Sequence, residues 1–288
     1  MNVYMYVREL ASIIADVFNK ALALGEDLEL GLAKLTTLQK PGKPAGPIKN
    51  IRPIALLPLL RKLLSLITLA RIRGPVELYL SPAQAAFRSR RSTADIVWTH
   101  RWLTAKTMRY KATVYLLGLD MSRAFDTIDR EKLMVILETI PGLTDDDRQL
   151  VRVLLANTSL QVAFNGILTK PIQSNIGSPQ GDALSPLLFA IYLEAAIREL
   201  HTCSPQRPHI DGMCGLPEHA IYADDTDFIS TCADYLDEVY HLVKPVFGNL
   251  KLIINDDKKE FTTMGHTDIG VSQDWRKTRK LGYLLGIQ

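Results

Sequence analysis

Tyr222-Ala223-Asp224-Asp225 places two adjacent carboxylates between the short apolar runs 219–222 and 226–230, which puts them on the tight turn of a hairpin. A second acidic cluster, Asp120-Met121-Ser122-Arg123-Ala124-Phe125-Asp126, follows the strand-like run 112–119. Both clusters therefore sit where a strand ends. Three carboxylates gathered about 4 Å apart would repel by roughly 4 kcal/mol per pair at an effective dielectric near 20. A fold that gathers them needs counter-charge, and divalent metal ions are its usual source. Two such ions, with phosphates completing the coordination, are the apparatus of phosphoryl transfer.

The charge distribution supports a phosphate-bearing partner. The 288 residues carry a net +3, but residues 34–111 hold 16 Lys and Arg against Glu77 and Asp95, a net of +14. The remainder holds 18 basic against 29 acidic residues, a net of −11. A basic module that suits phosphate backbones and triphosphates is thus joined to an acidic one that suits metal ions. A hydrophobic content of 47% supplies core enough for one large or two small domains.

Apolar residues at three- and four-residue spacing predict helices near 7–24, 59–72, 93–108, 130–140, 145–157, 182–200 and 233–247. Strands are expected near 113–119, 160–164, 167–172, 219–222, 226–230, 251–254 and 260–264, with Asn165-Gly166 as a two-residue hairpin turn. The mixed order of helices and strands argues for α+β, an antiparallel sheet backed by helices, and against a doubly wound nucleotide-binding fold.

Further blocks surround the acidic clusters in a fixed order. Lys40-Pro41-Gly42-Lys43 and Ile51-Arg52-Pro53-Ile54-Ala55-Leu56-Leu57 come first, then residues 81–93 (SPAQAAFRSRRST) and the Asp120 block. Residues 177–186 (GSPQGDALSP), the YADD, residues 255–260 (NDDKKE) and residues 281–286 (LGYLLG) follow. Together they resemble the fingers blocks and motifs A to E of the reverse transcriptase of the non-LTR (LINE-type) retrotransposon family, over nearly the whole chain. The resemblance implies a right-hand polymerase with fingers in residues 1–111, a segment 112–119 leading into the palm, and a palm over 112–288. The thumb is expected to be missing, because the chain ends a few residues after motif E.

By the same resemblance, Asp120, Asp224 and Asp225 hold two Mg²⁺ ions, with Mn²⁺ a possible substitute. Arg52 meets the β- and γ-phosphates of a dNTP, and Lys43 is a second candidate beside Lys40 and Lys49. Phe125 lies under the sugar, where a 2′-hydroxyl would clash, and Gln180 and Gly181 line the nucleotide and template base. Lys258 protonates the departing pyrophosphate, a role that the neighbouring Lys259 leaves open. The 177–181 loop is also readable directly: its glycines let backbone approach a ligand closely, and a helix N-terminus follows. Asp129, by contrast, reads as the start of a helix.

The activity implied is RNA-directed DNA synthesis on an RNA template from a DNA primer. Its main competitor is a truncated, catalytically inactive retroelement fragment that still binds nucleic acid. A group II intron-type reverse transcriptase, which residues 87–93 also resemble, is a nearer rival, disfavoured by the Leu59-to-Ser65 run and the 281–286 ending. Phe125 argues against an RNA-dependent RNA polymerase. Three cysteines without a secretory signature suggest an intracellular setting, nucleus or cytoplasm, and no uncharged run reaches the roughly 18 residues of a membrane span. His201, Cys203, His209 and Cys214 invite a zinc reading, but their spacing matches no regular pair of ligand hooks and reads better as a loop. Residues 276–280 (RKTRK) read as nucleic-acid contacts.

Overall fold

A computed structural model of the chain describes residues 3–24, 30–42, 44–47, 50–156, 158–164, 167–208, 215–265, 279–280 and 283–284. Lys43, Lys49, the Asn165-Gly166 turn, His209, Cys214, residues 276–278 and most of 281–286 lie outside them. In chain order the elements are α1 (Val3–Leu24), β1 (Leu32–Gln39), β2 (Ile51–Leu56), α2 (Leu59–Tyr79), α3 (Thr93–Tyr110), β3 (Thr113–Leu119) and β4 (Met121–Ser122). Next come α4 (Arg130–Glu138), α5 (Asp145–Leu155), β5 (Ser159–Phe164), β6 (Ile167–Leu168), β7 (Ile172–Gln173) and α6 (Ser185–Cys203). The last are β8 (His219–Tyr222), β9 (Asp225–Ser230), α7 (Ala233–Asn249), β10 (Ile253–Ile254), a 3-10 turn (Asp256–Lys258), β11 (Glu260–Gly265), β12 (Arg279–Lys280) and β13 (Tyr283–Leu284). The fold is α+β, as the mixed order of sequence patterns predicts.

Contacts divide the chain into two compact units, one made of Met1–Ile72 and Gly142–Leu184, the other of Arg73–Pro141 and Ser185–Gln288. In the first, β1 pairs antiparallel with β2 and parallel with β5, so this sheet is mixed. Neither β1 nor β2 is among the strands expected from the sequence. Residues 51–56 carry Pro53, which weakens a strand reading, and residues 32–39 alternate only imperfectly. The segment 167–172, expected as one strand, is two short pieces that both pair with β5. The break falls at Pro171, which has no N–H to donate, and the Thr169 hydroxyl accepts from Val162 N–H in place of a ladder bond.

The second unit is built on an antiparallel sheet in the order β11-β3-β9-β8. The alternation of β3 sends Val114 and Leu116 to one face, where they pack with Ile96 and Leu103 of α3, Ala220, Ile229 and Met264. Helix α7 packs against β3 and β9. Leu116 and Leu117 are fully buried, each stabilising by about 1.5–3 kcal/mol relative to exposure. Helix α3 starts at a capping box, with Ser92 accepting from the first turn and Asp95 reaching back to the Ser92 N–H at 2.7 Å. Among the described residues no helix is long and apolar enough to cross a membrane.

Candidate active site

The register of the second unit's sheet brings the two acidic clusters together. Leu119 at the end of β3 pairs with Thr226, so Asp120 emerges beside Asp225. Tyr222 pairs with Asp225 across the β8–β9 hairpin, leaving Ala223-Asp224 as its two-residue loop. Ala223 takes φ +59°, a conformation that costs an alanine about 1–2 kcal/mol and is held here by its surroundings. The main support is Gln84, 1% exposed, whose side-chain oxygen accepts from Ala86 N–H at 2.9 Å and Ala223 N–H at 3.3 Å. Backbone bonds between Ala83, Ala85 and Ile221 fix the same segment along β8. Gln84 lies in the 81–93 block, but nothing in the sequence pattern distinguishes it from a surface glutamine.

Beneath the hairpin, Asp227 accepts from the buried His100 ring at 3.1 Å, and the other ring nitrogen faces the Ile96 carbonyl at 2.9 Å. An imidazole on α3 thus braces β9 two residues past Asp225. This pair too escapes a sequence reading, because it joins residues 127 positions apart.

Asp120 is half-buried and closely partnered. β10 pairs with β4, which carries the chain back past Asp120, and Asn255 N–H donates to the Asp120 carbonyl at 2.9 Å. The following 3-10 turn presents Lys258, whose ammonium donates to both Asp120 oxygens at 2.9 and 2.8 Å. That hydrogen bond, aided by the charges of Asp120, Asp224 and Asp225, raises the Lys258 pKa above its ordinary value. Lys259 points elsewhere, 4.2 Å over the Tyr240 ring. Phe125 is partly buried and packs on Phe189, ring centroids 5.3 Å apart. Asp129 caps α4, accepting from Glu131 and Lys132 N–H, and pairs with Lys251 at 2.8 Å. The Lys251 bond foremost holds its carboxyl below the usual range.

The three carboxylates offer only hard oxygen donors, the set that suits Mg²⁺. Asp120, Asp224 and Asp225 do not bring their oxygens within 4.8 Å of one another as a set. Lys258 supplies part of the counter-charge that such a group demands. The donor chemistry therefore fits Mg²⁺ at these residues.

Arg52, Gln180 and Gly181 belong to the other unit, Arg52 on β2 and Gln180-Gly181 on a loop that is hydrogen-bonded to β2. Arg52 pairs with Leu38, and Lys34 with Leu56, on the face of the β1–β2 ribbon opposite the buried Ala33 and Ala55. Arg52 is exposed there. Ala55 N–H donates to the Gln180 carbonyl at 2.7 Å, tying the 177–182 loop to β2. Gly181 has φ +116°, and a Cβ at that position would lie 2.6 Å from the Ala55 carbonyl oxygen. Next in the loop, Asp182 pairs at 3.4 Å with Arg61, which is 1% exposed and also donates to the Leu154 carbonyl at 2.5 Å. Burial lowers the Arg61 pKa, and Asp182 counteracts it. In the sequence Arg61 is only one charge within the Leu59-to-Ser65 run.

Of the four residues in the zinc reading, His201 and Cys203 end α6, and His209 and Cys214 lie outside the described residues. His201 instead converges with Glu218 and His219, which no sequence pattern marks.

The fold is similar to that of telomerase. Apo telomerase from Candida tropicalis, truncated from its C-terminal domain, superposes with a TM-score of 0.60 at 14% identity over 88% of this chain and 53% of that one. Telomerase from Candida albicans in complex with a fragment of telomeric RNA gives 0.56 at 14%, over 86% and 44%. The class defined here is a telomerase-like α+β fold with an acidic centre at one end of its antiparallel sheet. Within that class, the chain belongs to the family described as reverse transcriptase (RNA-dependent DNA polymerase), which it matches over residues 38–286. The family generally uses divalent metal ions.

Curated relatives are non-LTR retrotransposon proteins. The type-1 retrotransposable element R2 polyprotein of Popillia japonica is 27% identical over 67% of this chain and 26% of its own length. A probable RNA-directed DNA polymerase from transposon X-element of Drosophila melanogaster is 27% identical over 56% and 18%. The RNA-directed DNA polymerase from mobile element jockey of Drosophila funebris is 25% identical over 75% and 23%. The chain thus spans about a quarter or less of the length of these relatives.

Proposed function

We propose that this chain is the polymerase core of a non-LTR retrotransposon reverse transcriptase, extending a DNA primer on an RNA template with dNTPs. The observation that carries the reading is the convergence of Asp120 with Asp224 and Asp225 across the β3–β9 ladder. Family membership and the names of the relatives support it. Residues 1–111 serve as fingers and 112–288 as palm, although 73–111 group with the second compact unit and 142–184 with the first.

Asp120, Asp224 and Asp225 would hold two Mg²⁺ ions, which would supply Lewis-acid activation of the primer 3′-hydroxyl and charge neutralisation at the leaving pyrophosphate. Lys258 then leaves the Asp120 carboxylate for the pyrophosphate, to which its ammonium gives a proton. Arg52, with Lys43, grips the β- and γ-phosphates through charge-assisted bonds. Gln180 and Gly181 border the nucleotide and template base on a loop that Asp182 and Arg61 hold still. Phe125, backed by Phe189, closes the space a 2′-hydroxyl would need, so dNTP is selected over NTP.

The test is single-nucleotide extension of a DNA primer on an RNA template with Mg²⁺, offering dNTP and NTP in parallel. We expect dNTP incorporation alone, and its loss in Asp224→Asn with primer-template affinity retained. Undiminished extension by Asp224→Asn would overturn the assignment.

A further inference from the structure

α6 ends and β8 begins around a cluster of three side chains that the acidic centre does not use. His201 lies in the last turn of α6, Glu218 immediately precedes β8, and His219 opens it. One ligand atom from each lies within 4.8 Å of the others, the only such set of three among the described residues. The His201 and His219 rings are 5.3 Å apart, and His201 Nδ1 lies 3.3 Å from a Glu218 oxygen.

The informative member is His219. It is 8% exposed, and neither ring nitrogen has a hydrogen-bond partner. A buried polar atom left unsatisfied costs about 1–3 kcal/mol, and such orphans are rare enough in native proteins to need a cause. Packing supplies none: the Phe228 ring lies tilted 6.4 Å away and offers no acceptor. Arg207, whose charge acts on the ring, is itself occupied by the Leu216 and Pro217 carbonyls at 3.1 Å each. Burial foremost, then His201 and Arg207, lower the His219 pKa to about 4, leaving the neutral ring with a lone pair to donate.

We infer that His201, Glu218 and His219 bind a zinc-class divalent ion that fastens the end of α6 to the start of β8. Two imidazoles and one carboxylate are an established three-ligand zinc set, with solvent in a fourth position. Tetrahedral Zn²⁺ with bonds of about 2.0–2.1 Å needs its ligand atoms about 3.3 Å apart, a contraction that side-chain rotation at the exposed His201 and Glu218 provides. Imidazole nitrogen favours zinc-class ions over Mg²⁺, so this ion is distinct in kind from those of the acidic centre. It also acts on that centre from a distance. β8 is four residues long and its far end is the Tyr222-Ala223-Asp224-Asp225 turn, so an anchor at His219 steadies the strand that presents Asp224.

The inference is independent of the polymerase reading, and so is its test. Chelator-stripped full-length protein is titrated with Zn²⁺, and separately with Co²⁺, in excess Mg²⁺. We expect one Zn²⁺ per chain, a visible Co²⁺ spectrum of four-coordinate type without a thiolate charge-transfer band, and a higher melting temperature. His201→Ala and Glu218→Gln, both at exposed side chains, should each weaken binding by more than the about 10–100-fold of an outer-shell change, with metal-free melting unchanged. Equal uptake by the wild type and both variants, no stoichiometric uptake, or a thiolate band would each overturn the site.

Discussion

Replacing Gly181 by alanine tests how tightly the 177–182 loop is clamped onto β2. Two costs are superimposed. The first is conformational: at φ +116° an alanine is strained by about 1–3 kcal/mol. The second is contact. The new Cβ would lie 2.6 Å from the Ala55 carbonyl oxygen, where ordinary contact begins at 3.4 Å, so something must yield by 0.8 Å. Ala55 cannot yield freely, because it pairs with Leu35 in β1 and its N–H donates to Gln180 at 2.7 Å. Overpacking adds about 1–3 kcal/mol, and breaking the Ala55–Gln180 bond about 1 more.

Gly46 provides the matched control. It has φ +111°, lies in the same unit and has nothing within 4 Å of the place a methyl would take, so Gly46→Ala carries the conformational cost alone. Gly181→Ala should therefore exceed Gly46→Ala by about 2–4 kcal/mol. Urea denaturation followed by circular dichroism gives the stability difference. Native-state hydrogen exchange of the Ala55 amide reports the one bond at issue, even if the two units unfold separately. Equal costs within about 0.5 kcal/mol, with the Ala55 amide still protected, would refute the clamp.

Two further outcomes follow from buried and partnered charges. Asp182→Ala leaves the Arg61 guanidinium buried without its counter-charge and should cost about 3–5 kcal/mol, whereas Arg61→Met combined with Asp182→Leu should recover most of it in the same denaturation assay. Lys258→Gln should slow single-turnover extension by about 10²–10⁴-fold, the usual worth of a general acid. Because Asp120 holds Lys258 above its ordinary 10.5, the ion pair's contribution is whole below that pH and is lost as pH climbs through the raised value. Lys258→Gln should remove that alkaline loss from the stability profile, and a profile identical to wild type would sink the pairing.

The parts of the fold legible in the sequence are those where one residue type does one job. β3 is an apolar run that ends in an acid, the YADD interrupts two apolar runs, and α3 carries apolar residues at helical spacing. What escaped reading depends on partners far along the chain. β1 looks unexceptional until β2 and β5 flank it. Arg61 resembles a surface charge until Asp182 and the Leu154 carbonyl enclose it. Gln84 gains meaning only because Ile221 and Ala223 lie against it, and His219 looks like an ordinary strand residue until Glu218 and the end of α6 leave its ring without a partner. Lys258 is separable from Lys259 only by direction, which the 3-10 turn decides and composition cannot.

The central place of β3 governs how the acidic centre comes into being as the chain folds. Leu119 pairs with Thr226, 107 positions later, and Gly118 with Glu260, 142 positions later. Contacts so distant in sequence close late, because the loop entropy must be met before the ladder rewards it. A nascent chain that has emerged as far as the YADD therefore holds Asp120 with neither neighbouring strand complete. Only when β11 arrives does the ladder seat the Asp256–Lys258 turn and its ammonium. The β3–β9 pairing that brings the acidic residues together also buries Ala220 and Ile229 against Val114 and Leu116, so apolar burial offsets their repulsion in the same step.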